Sequence, residues 1–368
     1  MIKKIAFTGL VVLLLVILLP AGMTAGSTPS VTSSSVDVNF PASLTFHVTA
    51  SSDANITDVR LHYVVNRMSH AQIVSEIAVP VSPGKNVTAE WLWDMRMSGG
   101  MPPGSSIDYW WTISDAGGGT LETAPARAYM EDDRYDWGQI TRGNVTLYWY
   151  EGDNAFAGDL MDAVDEALSR LAANTGAELT DPVRLYIYAS SEDLRGSMIF
   201  PQEWTGGVAF TEYGVVTIGI PPNASGLDWG KGAITHELTH LVVHQVTFNP
   251  YNSMPTWLDE GLAMTSEGEL DAQFLDTLSS AISNDALISV RSLASPFSAY
   301  SYEAILSYAE SAEVVTYLID TYGRDKMFQL LNAFAQGSGY DEALTAVYGL
   351  NMDTLNAAWL VSLDAAVP

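Results

Sequence analysis

Cysteine is absent from the chain. Disulfides, thiolate chemistry and cysteine-based zinc sites are therefore excluded, and any metal must be held by histidine and carboxylate. Positive charge is scarce: 16 Lys and Arg stand against 43 Asp and Glu, a formal net charge of −27. Nucleic acid and anionic membrane surfaces attract proteins through basic patches, so this balance argues against both as partners of the folded surface. It suits solubility in a salty or extracellular medium. After the N-terminus, no apolar run is long enough to span a bilayer. What the chain has in quantity is core material. Hydrophobic residues make up 48% of 368 positions, with ten Trp and 17 Tyr, which points to two folded domains.

The first residues read MIKKIAFTGLVVLLLVILLPAGMTAG. Two lysines, an apolar run from Ile5 to Leu19, then Pro20 and small residues form a secretory signal over 1–25. Cleavage after Ala25 would place Met23, a poor residue, third before the cut. The alternative is an uncleaved anchor attaching the protein to a membrane. Either way the body is exported, to an extracellular or cell-surface location. Sequons beginning at Asn55, Asn86, Asn144 and Asn223 matter only in a eukaryotic secretory pathway.

Residues 26–36 (GSTPSVTSSSV) read as a Ser/Thr-rich linker. From 37 to about 135 the apolar residues alternate: Leu44, Phe46 and Val48; Val59, Leu61, Tyr63 and Val65; Val87, Ala89, Trp91 and Trp93; Ile107, Tyr109, Trp111 and Ile113. Short alternating strands between turn clusters predict an antiparallel sandwich of immunoglobulin or fibronectin type. His47, His62 and His70 fall on or beside these strands and read as ordinary side chains. A polar stretch, 131–144, ends the region. Residues 140–368 then read as an α+β domain, with strands at 145–150 and 183–190 and a hairpin or two short strands within 206–222. A helix after 145–150 opens at Asp153 or Asn154 and closes at Gly176. From 230 onward nearly everything is helical.

One of these helices carries the chemistry. AITHELTHLVVHQVT (233–247) places His236 and His240 four apart, hence on one helix face and able to point ring nitrogens at a common ion. The spacing suits tetrahedral zinc. Glu237 lies beside that point, placed to take a proton from an activated water and return it to a leaving nitrogen. Zinc needs a third protein ligand, and MPTWLDEGLAM (254–264) supplies a carboxylate at Glu260, with nineteen residues between it and His240. Asp259 is adjacent but lies about 100° round the helix, where it reads as a helix N-terminal charge. His244, one turn past His240, reads as a surface residue; Trp229 and Trp257 read as packing residues.

HELTH with WLDEGLA resembles the gluzincin metallopeptidases, and the order of segments over 140–366 is most similar to the peptidase MA-like family of exported bacterial proteins. The resemblance implies zinc held by His236, His240 and Glu260, and Glu237 as catalytic acid/base. LSYAESAEVVTYLIDTYGRDKMFQLLNAF (306–334) resembles the helix whose Tyr stabilises the oxyanion in aminopeptidase N-like enzymes, which implies that role for Tyr308. Tyr300, Tyr302 and Tyr317 lie close by in sequence. GGVAF (206–210) stands where those aminopeptidases carry an amine-binding Glu at the end of a Gly-rich strand. Ala209 or Phe210 stands there instead, which puts exopeptidase activity in doubt. Thermolysin-like enzymes have an Asp four residues after the third ligand to support a zinc histidine. Here it is Met264, so that support must differ. The expectation is thus an exported zinc metallopeptidase acting on a peptide or protein substrate. The alternative is a catalytically weak or inactive peptidase-fold binding or structural protein at the cell surface; a pure scaffold would have no need of Glu237.

Overall fold

The computed structural model describes residues 28–203 and 205–366. The expected signal or anchor, 1–25, lies outside them. The N-terminal part is an antiparallel β-sandwich of β1 (Ser30–Asn39), β2 (Ser43–Asn66), β3 (Ser75–Ala78), β4 (Gly84–Asp94), β5 (Ser105–Asp115), β6 (Thr120–Glu122) and β7 (Ala126–Met130). Its organiser is β2, 24 residues long. The first half pairs with β1 and β4, the second with β3 and β5, and the register shifts between Ser51 and Ile56. An irregularity of this kind lets one strand serve both layers. Alternation sends Leu44, Phe46, Leu61 and Trp111 into one core. The stretch read as a linker, 26–36, is a correction: from Ser30 it is strand β1. Val31, Val36 and Val38 pack on the sandwich core, and the Ser/Thr positions between them suit a half-exposed edge.

A five-stranded sheet follows, ordered β11-β12-β10-β9-β8. It comprises β8 (Gly138–Arg142), β9 (Val145–Trp149), β10 (Val183–Tyr188), β11 (Gly207–Phe210) and β12 (Val215–Gly219). The central three run parallel, and β8 and β11 lie antiparallel at the edges. Strand β8 falls inside the polar stretch; as an edge strand it needs few apolar residues. Helix α1 (Asn154–Thr175) connects β9 to β10, and α2 (Ser191–Arg195) follows β10. The Asp153 side chain caps α1 and Gly176, at φ 72°, closes it.

The rest is helical: α3 (Ala224–Thr247), α4 (Thr256–Glu267), α5 (Ala272–Ser283), α6 (Ser301–Tyr322), α7 (Arg324–Ala335), α8 (Tyr340–Tyr348) and α9 (Met352–Ala366). Helix α3 starts six residues before its expected position. The glycines in ASGLDWGKG argue against a helix, but a Cβ on Gly230 would meet the Ile220 side chain at 2.6 Å. Glycine is needed there because α3 passes so close to the end of β12. Helices α1 and α3 cover one sheet face through Leu160, Val164, Ile234 and Leu238. The other face carries an aromatic cluster that includes Tyr135, Trp137, Tyr150 and Tyr188. No helix among the described residues is long and apolar enough to cross a membrane.

Candidate metal centre

Helix α3 is packed on both sides, Ile234, Leu238 and Leu241 toward the sheet and Val242 and Val243 toward the helical core. This leaves His236 and His240 facing α4, with ring centroids 4.9 Å apart and edge-on at 77°. Trp257 and Leu258, both buried, seat the start of α4 in the helical core. Glu260 is thereby turned toward the two rings. Its Oε2 lies 3.5 Å from Nε2 of His236 and 3.5 Å from Nε2 of His240. One ligand atom from each of the three residues falls within 4.8 Å of the others, a set that could hold a metal ion.

The donor set fits zinc. Two ligand atoms each 2.0–2.1 Å from a tetrahedral zinc stand about 3.4 Å apart. A separation of 3.5 Å is long for a hydrogen bond, and Glu260 Oε2 is buried with no hydrogen-bond partner. A buried carboxylate oxygen left unsatisfied is costly unless a cation completes it. The outer ring nitrogens are already engaged: His236 Nδ1 lies 2.7 Å from Glu267 Oε1, and His240 Nδ1 lies 3.0 Å from Asp259 Oδ1. A carboxylate on Nδ1 keeps the proton there and frees Nε2 to bind metal.

Charges at the centre are strongly coupled. Burial disfavours the charged form of His236, but Glu260 and Glu267 outweigh it and lift its pKa to about 9. Burial likewise works against charge on His240, and Asp259 and Glu260 carry it well above the ordinary range. Burial acts to raise Glu260, yet the facing imidazoles bring it down to about 2. Glu237 is pushed up, by burial first and by Glu260; the imidazoles and the backbone N–H of Ala209 pull the other way. Strand β11 lies directly on this carboxylate. A Cβ on Gly207 would meet Glu237 Oε1 at 2.7 Å, so a larger residue there would push that carboxylate aside. No other described strand pairs with the outer edge of β11.

Tyr308, half-buried on α6, has its ring 6.4 Å from that of His236 and edge-on to Phe297. Burial, then the carboxylates of Glu260, Glu237 and Asp259, raise its pKa and keep the hydroxyl protonated. Its neighbours do not approach the centre in this way: Tyr300 and Tyr302 are exposed, and Tyr317 packs on the helical core.

Several placements differ from expectation. Asp259 lies in the first turn of α4, as a helix N-terminal charge should, but it also holds His240. Glu267 was missed; its signal is its position seven residues after Glu260, two turns along the same face. His244 is half-buried rather than on the surface, with Nε2 enclosed and unpartnered. Trp257 is core, but Trp229 is 49% exposed and lies against Gly206 at the start of β11. Trp229 precedes His236 by seven residues and so shares its helix face. His47 and His62 stay on the sandwich, beside Asp37 and Thr112.

Residues 163–365, just over half the chain, match the Peptidase MA superfamily. The chain belongs to that superfamily. A comparison with curated proteins finds no match. Among solved structures, this Peptidase MA chain is similar to an M1 zinc metallopeptidase from Deinococcus radiodurans, at 13% identity and TM-score 0.40, over 88% of this chain and 90% of that one. It is similar to Legionella pneumophila aminopeptidase A, solved with aspartic acid, at 10% identity and TM-score 0.41, over 91% of this chain and 51% of that one. A family 56 carbohydrate-binding module matches 26% of this chain and 95% of its own, at 18% identity and TM-score 0.17.

Proposed function

We propose that this Peptidase MA chain is an exported zinc metallopeptidase that hydrolyses peptide bonds in an extracellular or cell-surface substrate. The observation that carries the reading is the convergence of His236, His240 and Glu260 beside Glu237, at the free edge of β11. A zinc ion held by those three residues would polarise the scissile carbonyl and lower the pKa of the attacking water. Glu267 and Asp259 hold the imidazoles in the tautomer that presents Nε2. Glu237 accepts the proton of the water and passes it to the leaving nitrogen; burial raises its pKa. The charge of a bound metal acts on it in the opposite sense. The Tyr308 hydroxyl donates to the oxygen on which negative charge develops. The open backbone groups of β11 take an extended peptide as an added strand. Export follows from the lysine-flanked apolar segment that opens the chain.

Glu237→Gln tests the reading. The three ligands are untouched, so the variant should bind one zinc and keep its fold. Hydrolysis should fall by about a hundredfold to ten-thousandfold, the usual contribution of a positioned acid/base. Metal content and cleavage of a mixed peptide library are measured side by side. A wild type loaded with one zinc that cleaves no peptide would sink the enzyme and leave a metal-holding scaffold.

A further inference from the structure

A cavity of about 400 Å³ opens beside the candidate metal centre, between the C-terminal end of α3, the start of α4 and the 3₁₀ turn at Thr211–Tyr213. Pockets of this size take a long side chain. It joins the centre through Asp259, which lines it and also accepts from His240 Nδ1. Its second carboxylate is Glu212, in the turn that follows β11. Phe248, Tyr251 and Met254 supply apolar and aromatic wall. His244 also lines it, and burial pushes that imidazole toward the neutral form, so it adds no positive charge. Arg67, on the sandwich, is bound to Glu212 at 2.6 Å and offsets one of the two carboxylates. With zinc on its Nε2 the His240 ring would be neutral and would give Asp259 only an N–H, so in the zinc-loaded protein the Asp259 carboxylate keeps a negative charge in an aromatic-walled cavity. A cation there gains a charge-assisted hydrogen bond and contact with ring faces.

We propose that this cavity is a specificity subsite that selects substrates by a basic side chain, lysine or arginine, near the scissile bond. The proposal rests on the peptidase reading for the identity of its ligand, but its test does not need turnover. The sandwich takes part in building the subsite. Besides the Arg67 pair, the Met68 N–H donates to the Glu212 carbonyl at 2.6 Å, and the His70 ring stacks on Phe248 at 4.0 Å. Residues 67–70, beyond the end of β2, therefore hold the turn and one cavity wall in place.

The test uses full-length, zinc-loaded Glu237→Gln protein and peptides blocked at both ends, so that no free amine contributes. One lysine, or its uncharged isostere norleucine, is moved through successive positions, and binding is measured by fluorescence polarisation. At one position lysine should bind at least tenfold tighter than norleucine. The preference should weaken as salt rises and drop in part in the added Glu212→Gln change, which leaves the Arg67 charge unmatched beside the cavity. Asp259→Asn, which keeps an acceptor for His240, should reduce it further. Equal binding of lysine and norleucine everywhere overturns the proposal, as does binding of no peptide at all. A uniform gain at every position also overturns it, since that is the general attraction of a chain of net charge −27. A preference that returns only with an unblocked N-terminus assigns the cavity to the peptide amine and overturns it too. A clear lysine preference in a protein whose wild type cleaves nothing keeps this subsite and rejects the peptidase reading.

Discussion

Two carboxylates that are not themselves candidate ligands decide how well the centre can hold a metal. Glu267 accepts from His236 Nδ1 at 2.7 Å, and without it the ring can turn or change tautomer. Glu267→Ala should weaken zinc binding about tenfold to a hundredfold, measured by competition with a chelator of known affinity. Glu267→Gln, whose amide oxygen still accepts from Nδ1, should recover most of the loss. Equal affinity in all three proteins would make Glu267 an onlooker. Tyr308 belongs to a different step. An oxyanion donor acts in the transition state, so Tyr308→Phe should lower kcat on the order of a hundredfold with KM little changed. Unaltered steady-state kinetics would return Tyr308 to a packing role against Phe297.

Helix α6 carries Tyr308 on one turn and a buried acid just beyond it. Glu310 is fully buried and accepts the Ile288 N–H at 2.9 and 3.1 Å, tying the segment after α5 to α6. Burial raises its pKa to about 8, with the Ile288 N–H acting against the shift. The folded value lies above the ordinary 4.5, so the folded chain keeps a proton that the unfolded chain has lost. Its contribution to stability is therefore most favourable below about pH 4.5, declines as pH rises toward 8, and is level beyond. Glu310→Gln retains an acceptor for Ile288 and cannot ionise. Thermal melts should show the variant gaining on the wild type steadily from pH 5 to pH 8. A Tm difference that does not vary with pH would mean Glu310 titrates normally.

Across the whole molecule, the sandwich and the peptidase sheet are joined around Asp132. Its side chain is inaccessible and accepts from Arg134 at 2.6 and 2.7 Å and from the Tyr188 hydroxyl, on the central strand β10, at 2.7 Å. Arg184 on the same strand donates to the Gly104 carbonyl of the sandwich. Breaking a buried pair costs about 3–5 kcal/mol, and the exposure of Arg134 (32%) brings the expected loss for Asp132→Ala to about 2–3 kcal/mol. Urea unfolding at constant pH measures it. A loss below about 0.5 kcal/mol, the scale of neutral surface changes, would show that this junction does not bind the two parts together.

Sequence alone determined what is local. The four-residue spacing of His236 and His240 puts both on one face of any helix they occupy. Asp153 and Gly176 bracket α1 by backbone chemistry that needs no partner. Alternation marked most of the sandwich strands, and the match of residue type with segment order pointed to the Peptidase MA superfamily. Where apolar content was low or glycine interrupted the pattern, the elements were illegible: β1 among serines, β8 in a polar stretch, the first turns of α3 among glycines. Their stability comes from neighbours, not from the residues themselves. Only the tertiary structure decided that Glu267 and Asp259 hold the two imidazoles, that Gly207 lies against Glu237, that Arg67 reaches Glu212 and that His70 reaches the end of α3. Such contacts join residues from 19 to 178 positions apart. They depend on how buried faces pack, and no periodicity within a segment encodes that.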